Sequence, residues 1–152
     1  MRAMVIGEFG GPEVFVRRDL PRPEPGPNQV LVKVYATSVN PIDYKLRQNG
    51  SRSGLVPPII LGYDVSGVVV AVGEAVQHFS VGDEVYYTPE VMGWGSYAEY
   101  HLANEGIVAL KPPSLSHFEA ASIPLVGCTA WDALVERGAL RVAESILVHG
   151  IG

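Results

Sequence analysis

A mainly β fold, a barrel or sandwich with flanking helices, is predicted by three observations on this 152-residue chain. Its 17 glycines and 12 prolines fall between short β-branched runs, as tight turns between strands do. Several runs alternate apolar and polar residues, the period of a half-buried strand. After Pro112-Pro113 the texture changes, and alanines at helical spacing replace the turns.

Taken in order, residues 1–7 and 13–18 read as two short strands joined at Gly10-Gly11-Pro12. Residues 21–27 carry four prolines and form an extended connector. Residues 29–38 begin as an alternating strand. Asn40-Pro41 opens a short helix over 42–47, with Asn at the N-cap and Pro at the first helical position. The longest β-branched run, 65–72, is a central strand, turned at Gly73-Glu74. The turn Val81-Gly-Asp83 delivers a strand at 84–88. Residues 95–102 alternate again, and 107–111 close the β region. Helical spacing follows at 116–122, where Ser116 and Glu119 resemble a capping box, and at 125–137. Residues 145–149 read as a buried strand running into Gly150-Ile-Gly152. That pattern is either an ordinary turn or the opening of a dinucleotide-binding unit.

The bulk properties exclude several classes. Hydrophobic content of 47% with 18% charged residues is globular. A net charge of −5 and a pI near 5.3 argue against nucleic acid and anionic membranes as partners. No run approaches the ~20 apolar residues of a membrane span, and the N-terminus lacks the apolar core of a secretion signal. Cys128 is the single cysteine, which fits a reducing compartment and a cytoplasmic location.

Five segments, in this order, resemble the medium-chain dehydrogenase/reductase superfamily. They are Thr37-Ser-Val-Asn-Pro-Ile-Asp43, Gly62-Tyr-Asp-Val-Ser-Gly-Val-Val69, Val81-Gly-Asp-Glu-Val85, Gly95-Ser-Tyr-Ala-Glu-Tyr100 and Ala120-Ala-Ser-Ile-Pro-Leu-Val-Gly-Cys-Thr-Ala-Trp131. The resemblance implies a GroES-like β-barrel over residues 1–124. It implies that 125–152 are the connecting helix and first strand of a truncated Rossmann domain, whose glycines cradle an NADP or NAD cofactor. It further implies a homodimer, through an edge beyond residue 152.

The zinc-dependent branch of that superfamily uses a cysteine and a histidine–glutamate pair as ligands. At the matching positions stand Asn40, Tyr63 and Asp64, and an amide and a phenol are poor zinc ligands. The short loop 89–94 has no cysteines for a structural zinc. No metal site is expected, and the motifs look like the quinone-oxidoreductase branch.

Asn40 is the first site candidate. As a neutral amide it can donate to a carboxamide or a substrate carbonyl, and the resemblance implies a place beside the nicotinamide; it also serves as a helix cap. Tyr63 is the second, a hydroxyl donor to substrate oxygen or an aromatic wall. The resemblance adds Lys45, Thr129, Gly150 and Gly152 as cofactor contacts. Asp43 reads as a cap and Asp64 as structural. Glycines 62, 67, 82 and 95 read as turn and bulge positions. Tyr97, Tyr100, Trp131 and Cys128 read as core, and His78, His101, His117 and His149 as surface or turn residues.

The expected function is hydride transfer from NAD(P)H to a quinone or an α,β-unsaturated carbonyl. An enoyl-thioester or alkenal reductase is the close alternative, and a β-barrel interaction module without activity the distant one. The isolated chain is expected to be inactive, and 145–149 to pair with an edge, fold back or lack order.

Overall fold

The computed structural model describes residues 1–50 and 54–149. The chain runs β1 (Arg2–Ile6), β2 (Phe15–Asp19), β3 (Gln29–Ala36), α1 (Pro41–Asn49), β4 (Ile59–Ile60) and β5 (Val65–Val72). It continues through β6 (Glu84–Tyr87), β7 (Tyr100–Asn104), β8 (Ala109–Leu110), α2 (His117–Ala121) and α3 (Pro124–Trp131). Two antiparallel sheets result, one ordered β2-β1-β4 and the other β7-β3-β5-β6-β8. The sheets meet at an isolated bridge between Ala3 and Ala98 and do not close into a barrel.

The main core follows from alternation. Val30 and Val32 of β3, Val65 and Val69 of β5, and Val85 and Tyr87 of β6 point to one face and are buried with Ala103. Each fully buried valine is worth about 2 kcal/mol relative to exposure. Gly67 sits opposite Val34 beside a break in the β3–β5 register, where a Cβ would lie 2.1 Å from the Lys33 carbonyl oxygen. A second core gathers Ile6, Val14, Leu55, Ile59, Leu61 and Tyr63, with Ile42 and Leu46 of α1 and Leu125 of α3 packed on it. The apolar side of α1 is thus held against the end of the strands from which Tyr63 and Asp64 come.

Several expectations are corrected. The strand expected over 95–102 becomes regular only at Tyr100, because Gly95, Ser96 and Tyr97 donate instead to the carbonyls of Ile60, Gly62 and Leu61. The helix at 125–137 is α3 followed by a wider π-helical segment, Asp132–Arg137. Residues 145–149 form no strand: Ile146, Leu147 and Val148 are exposed by 52%, 78% and 52%. A parallel-type strand needs neighbours on both edges, and among the described residues no strand pairs with it. Trp131 and Cys128 are exposed on α3, not core. His101, expected at the surface, is buried. Gly150 and Gly152 lie outside the described residues.

Candidate functional site

The segment between β3 and α1 delivers three polar side chains toward Asp64. Thr37 Oγ1 donates to the Asp64 carbonyl at 2.8 Å, and the Ser38 hydroxyl donates to Asp64 Oδ2. Asn40 Nδ2 donates to the same Oδ2 at 2.6 Å and to Ser38 Oγ at 3.0 Å. The other oxygen, Asp64 Oδ1, accepts the backbone amide of Leu125 at 2.8 Å. A side chain that is 1% exposed therefore joins the start of α1 to the start of α3.

Asn40 caps α1 as its position requires. It forms a capping box with Asp43, whose Oδ2 accepts the Asn40 amide at 2.7 Å. In the same box the Asn40 side chain accepts from the Asp43 backbone amide, which also donates to the Asn40 backbone carbonyl at 3.0 Å. Asp43 Oδ1 also accepts Gly62 N at 2.9 Å. Burial raises the Asp43 pKa against the opposing pull of these backbone bonds. Gly62 has φ of +106°, and a Cβ there would meet Ser96 Oγ at 2.4 Å. Only glycine lets the chain turn into Tyr63 and Asp64 while giving Asp43 its amide.

Tyr63 is 1% exposed and packs in the second core, its hydroxyl 3.4 Å from the Val91 carbonyl. Burial, with the nearby Asp43 charge, pushes its pKa up to about 12, so the hydroxyl is a donor at neutral pH. Thr129 Oγ1 donates to the Leu125 carbonyl at 2.8 Å, one helical turn back. Asn40, Tyr63 and Thr129 are thus linked through Asp64 and Leu125. Lys45 is exposed on α1 and joins none of these contacts.

Two further polar clusters escaped the reading of the sequence. His101 Nε2 contacts the Trp94 carbonyl at 2.8 Å and its Nδ1 the Tyr87 hydroxyl at 2.9 Å, fixing the end of the 89–94 loop. Burial lowers the His101 pKa to about 4, so the ring is neutral. Its shared face with Ala103 on β7 was the available signal. The second cluster is a serine–histidine–carboxylate series: Ser66 Oγ lies 2.7 Å from His117 Nδ1, and His117 Nε2 3.5 Å from Glu84 Oε1. Ser66 is fully buried against the Val85 carbonyl, so the series ties α2 to the sheet and offers no exposed nucleophile.

Among the described residues no three His, Cys, Asp or Glu side chains gather as a metal site would require. Nor is any helix among them long and apolar enough to cross a membrane.

The model of the alcohol dehydrogenase GroES-like domain matches residues 26–113, more than half of the chain. The chain belongs to that family. The chain is 39% identical over 151 residues to human quinone oxidoreductase, covering 99% of this chain and 45% of that protein. It is 40% identical over 161 residues to an NADPH-dependent alkenal/one oxidoreductase, chloroplastic, of Arabidopsis thaliana, covering all of this chain and 42% of that one. The crystal structure of Escherichia coli quinone oxidoreductase complexed with NADPH superimposes with a TM-score of 0.83 at 28% identity. That superposition covers 90% of this chain and 41% of the other. The chain spans less than half the length of these relatives.

Proposed function

We propose that this chain is the substrate-side wall of an NAD(P)H-dependent oxidoreductase that reduces quinones or α,β-unsaturated carbonyls without zinc. Residues 1–124 form that wall, and 125–152 lead into the cofactor-binding part. The observation that carries the reading is the saturation of Asp64. Its two oxygens already accept three donors, from Ser38, Asn40 and Leu125, and its neighbours Asn40 and Tyr63 are an amide and a phenol. That donor set does not fit zinc. It fits a site that works by positioning and hydrogen bonding.

The reduced nicotinamide, when bound, supplies hydride to a conjugated acceptor. Tyr63 holds a neutral O–H whose long contact to Val91 leaves it free to turn toward a developing oxyanion. Asn40 orients the cofactor or the substrate. Lys45 and Thr129, both exposed, are proposed cofactor contacts, with Gly150 and Gly152. The names of the Arabidopsis relative and of the Escherichia coli structure support NADPH as a cofactor. A cytoplasmic location and a homodimer belong to the same proposal.

The Arabidopsis relative keeps alkenal or enone reduction as the second reading. The test is to supply the full-length protein with NADPH and either 1,4-benzoquinone or a small enone, with and without a zinc chelator. Oxidation of NADPH that survives chelation is expected. No oxidation above background with either acceptor overturns the reading, and chelator loss restored by zinc overturns its metal-free part.

A further inference from the structure

We propose that β7 is a homotypic pairing edge, on which a second copy of this chain adds its own β7 antiparallel about a two-fold axis at Leu102. The contact is separate from the homodimer proposed above, whose edge lies beyond residue 152, and does not rest on that reading.

Sheet edges that stay solitary carry devices against further pairing: short length, charged side chains, proline or a bulge. Three of the four edges here have one. β4 and β8 are two residues each, and β2 reads Phe-Val-Arg-Arg-Asp. β7 has five residues without lysine, arginine, carboxylate or proline, and its register against β3 is unbroken. Its histidine, His101, is buried and neutral.

The ladder with β3 shows which backbone groups stand free. Val34 N donates to the Glu99 carbonyl at 2.9 Å, and Glu105 N to the Asn28 carbonyl at 3.0 Å. Inward-bonded residues alternate along an antiparallel pair, so 99, 101, 103 and 105 are the ones bonded to β3. The N–H and C=O of Tyr100, Leu102 and Asn104 therefore point away from the sheet, and none has a partner among the described residues. Beside them runs a groove of about 420 Å³, lined by Met1, Pro23, Trp94, Leu102 and Ile107.

The edge is its own complement. An axis at Leu102 sets Leu102 against Leu102 and Tyr100 against the second copy's Asn104, so every outward N–H of one strand meets an outward C=O of the other. It also brings opposite charges together. Arg22 lies 4.3 Å over the Tyr100 ring and forms no ion pair among the described residues. Across the axis it meets the far end of the other β7. There Glu105 follows Asn104 and commits only Oε2, to the Gln77 and His78 amides. A foreign strand would need its own match to both charges, whereas a second copy brings it.

Sedimentation of the 152-residue chain tests this. The chain should pass from monomer to dimer as its concentration rises toward about 1 mM. Leu102→Pro deletes an N–H that β3 does not use, a change that an edge strand tolerates, and should weaken the dimer at least about tenfold. Leu102→Lys keeps that N–H and places a charge at the axis in both copies; it should weaken the dimer as much, whatever the proline does to the fold. Asn104→Asp retains the bond from the Gly106 amide and should tighten the dimer about threefold by facing Arg22. Made together with Arg22→Glu, it should loosen the dimer instead. A chain that stays monomeric overturns the proposal. So does a dimer that neither Leu102 variant weakens, which would place association on the exposed side chains of α3 and 146–148. A dimer that both Leu102 variants break, but that responds alike to Asn104→Asp with and without Arg22→Glu, overturns the two-fold register.

Discussion

The two helices packed against the five-stranded region and its rim are tethered by different means. α1 is held through buried carboxylates: Asp43 takes the Asn40 and Gly62 amides, and Asp64 takes Asn40, Ser38 and, across to α3, Leu125. α2 is held by the series Ser66–His117–Glu84–Lys111, with Tyr35 stacked on the imidazole at 4.9 Å between ring centres. In the first tether every charged oxygen is buried and every partner is a neutral N–H or O–H. In the second, the carboxylate that closes the series is half exposed and its partners include an ammonium. The difference teaches where rigidity is concentrated. Neutral donors on a buried carboxylate hold geometry with little dependence on salt, whereas exposed ion pairs are screened and contribute little. The site residues sit on the first kind of tether.

The largest expected effect breaks that tether. Asp64→Ala removes the acceptor for three donors at once and leaves the buried Asn40 and Leu125 N–H groups unpaired. The stability of the chain should fall by about 3 kcal/mol, read as a shift of the urea midpoint at constant slope. A smaller effect is expected at the second tether. Ser66→Ala removes one hydroxyl that bridges His117 and the Val85 carbonyl, at a cost of about 1 kcal/mol. Amide exchange should accelerate first in α2, at Ala120, which donates to Ser116 at 2.9 Å. A loss for Ser66→Ala as large as for Asp64→Ala would mean that the two tethers are equivalent and that the comparison fails.

How far the sequence carried these features depends on the range of the interaction that fixes each one. The alternation of β3, β5 and β6 and the start of α1 at Asn40-Pro41 were legible because strand faces and helix caps are set by residues within a few positions of one another. Asp64 was read as structural, yet its role as a hub was not visible: its partners stand 24, 26 and 61 residues away. The same holds for His101, whose partner Tyr87 is 14 residues distant on the core side of the sheet. Cys128, Trp131 and residues 145–149 failed in the opposite direction. Their residue types favour burial, but burial needs a covering surface, and the described residues bring none to them.

The smallest expected effect sharpens the contrast between the tethers through pH. The Glu84 pKa is lowered from its ordinary 4.5, first by the hydrogen bond from Lys111 and then by the nearby positive charge of Lys111. A carboxylate whose folded pKa is depressed binds fewer protons folded than unfolded in the window between the two values. Its stabilisation is therefore complete above about pH 4.5 and is lost as the pH falls through the folded value. Asp43 has the opposite sign: burial raises its pKa in the folded chain, so its buried charge costs stability near neutral pH, a cost relieved as the pH falls through the folded value. Glu84→Gln should lower stability near pH 7 by the same small amount that it removes from the acid slope, because Glu84 is half exposed and its pairing with the buried Lys111 is partly screened. It should flatten the acid side of the stability curve below about pH 4.5, and more so at low ionic strength. Denaturation midpoints measured from pH 3 to pH 7 at two salt concentrations would read both effects. An acid slope that Glu84→Gln leaves intact would assign the titration to other carboxylates and remove pH from the difference between α1 and α2.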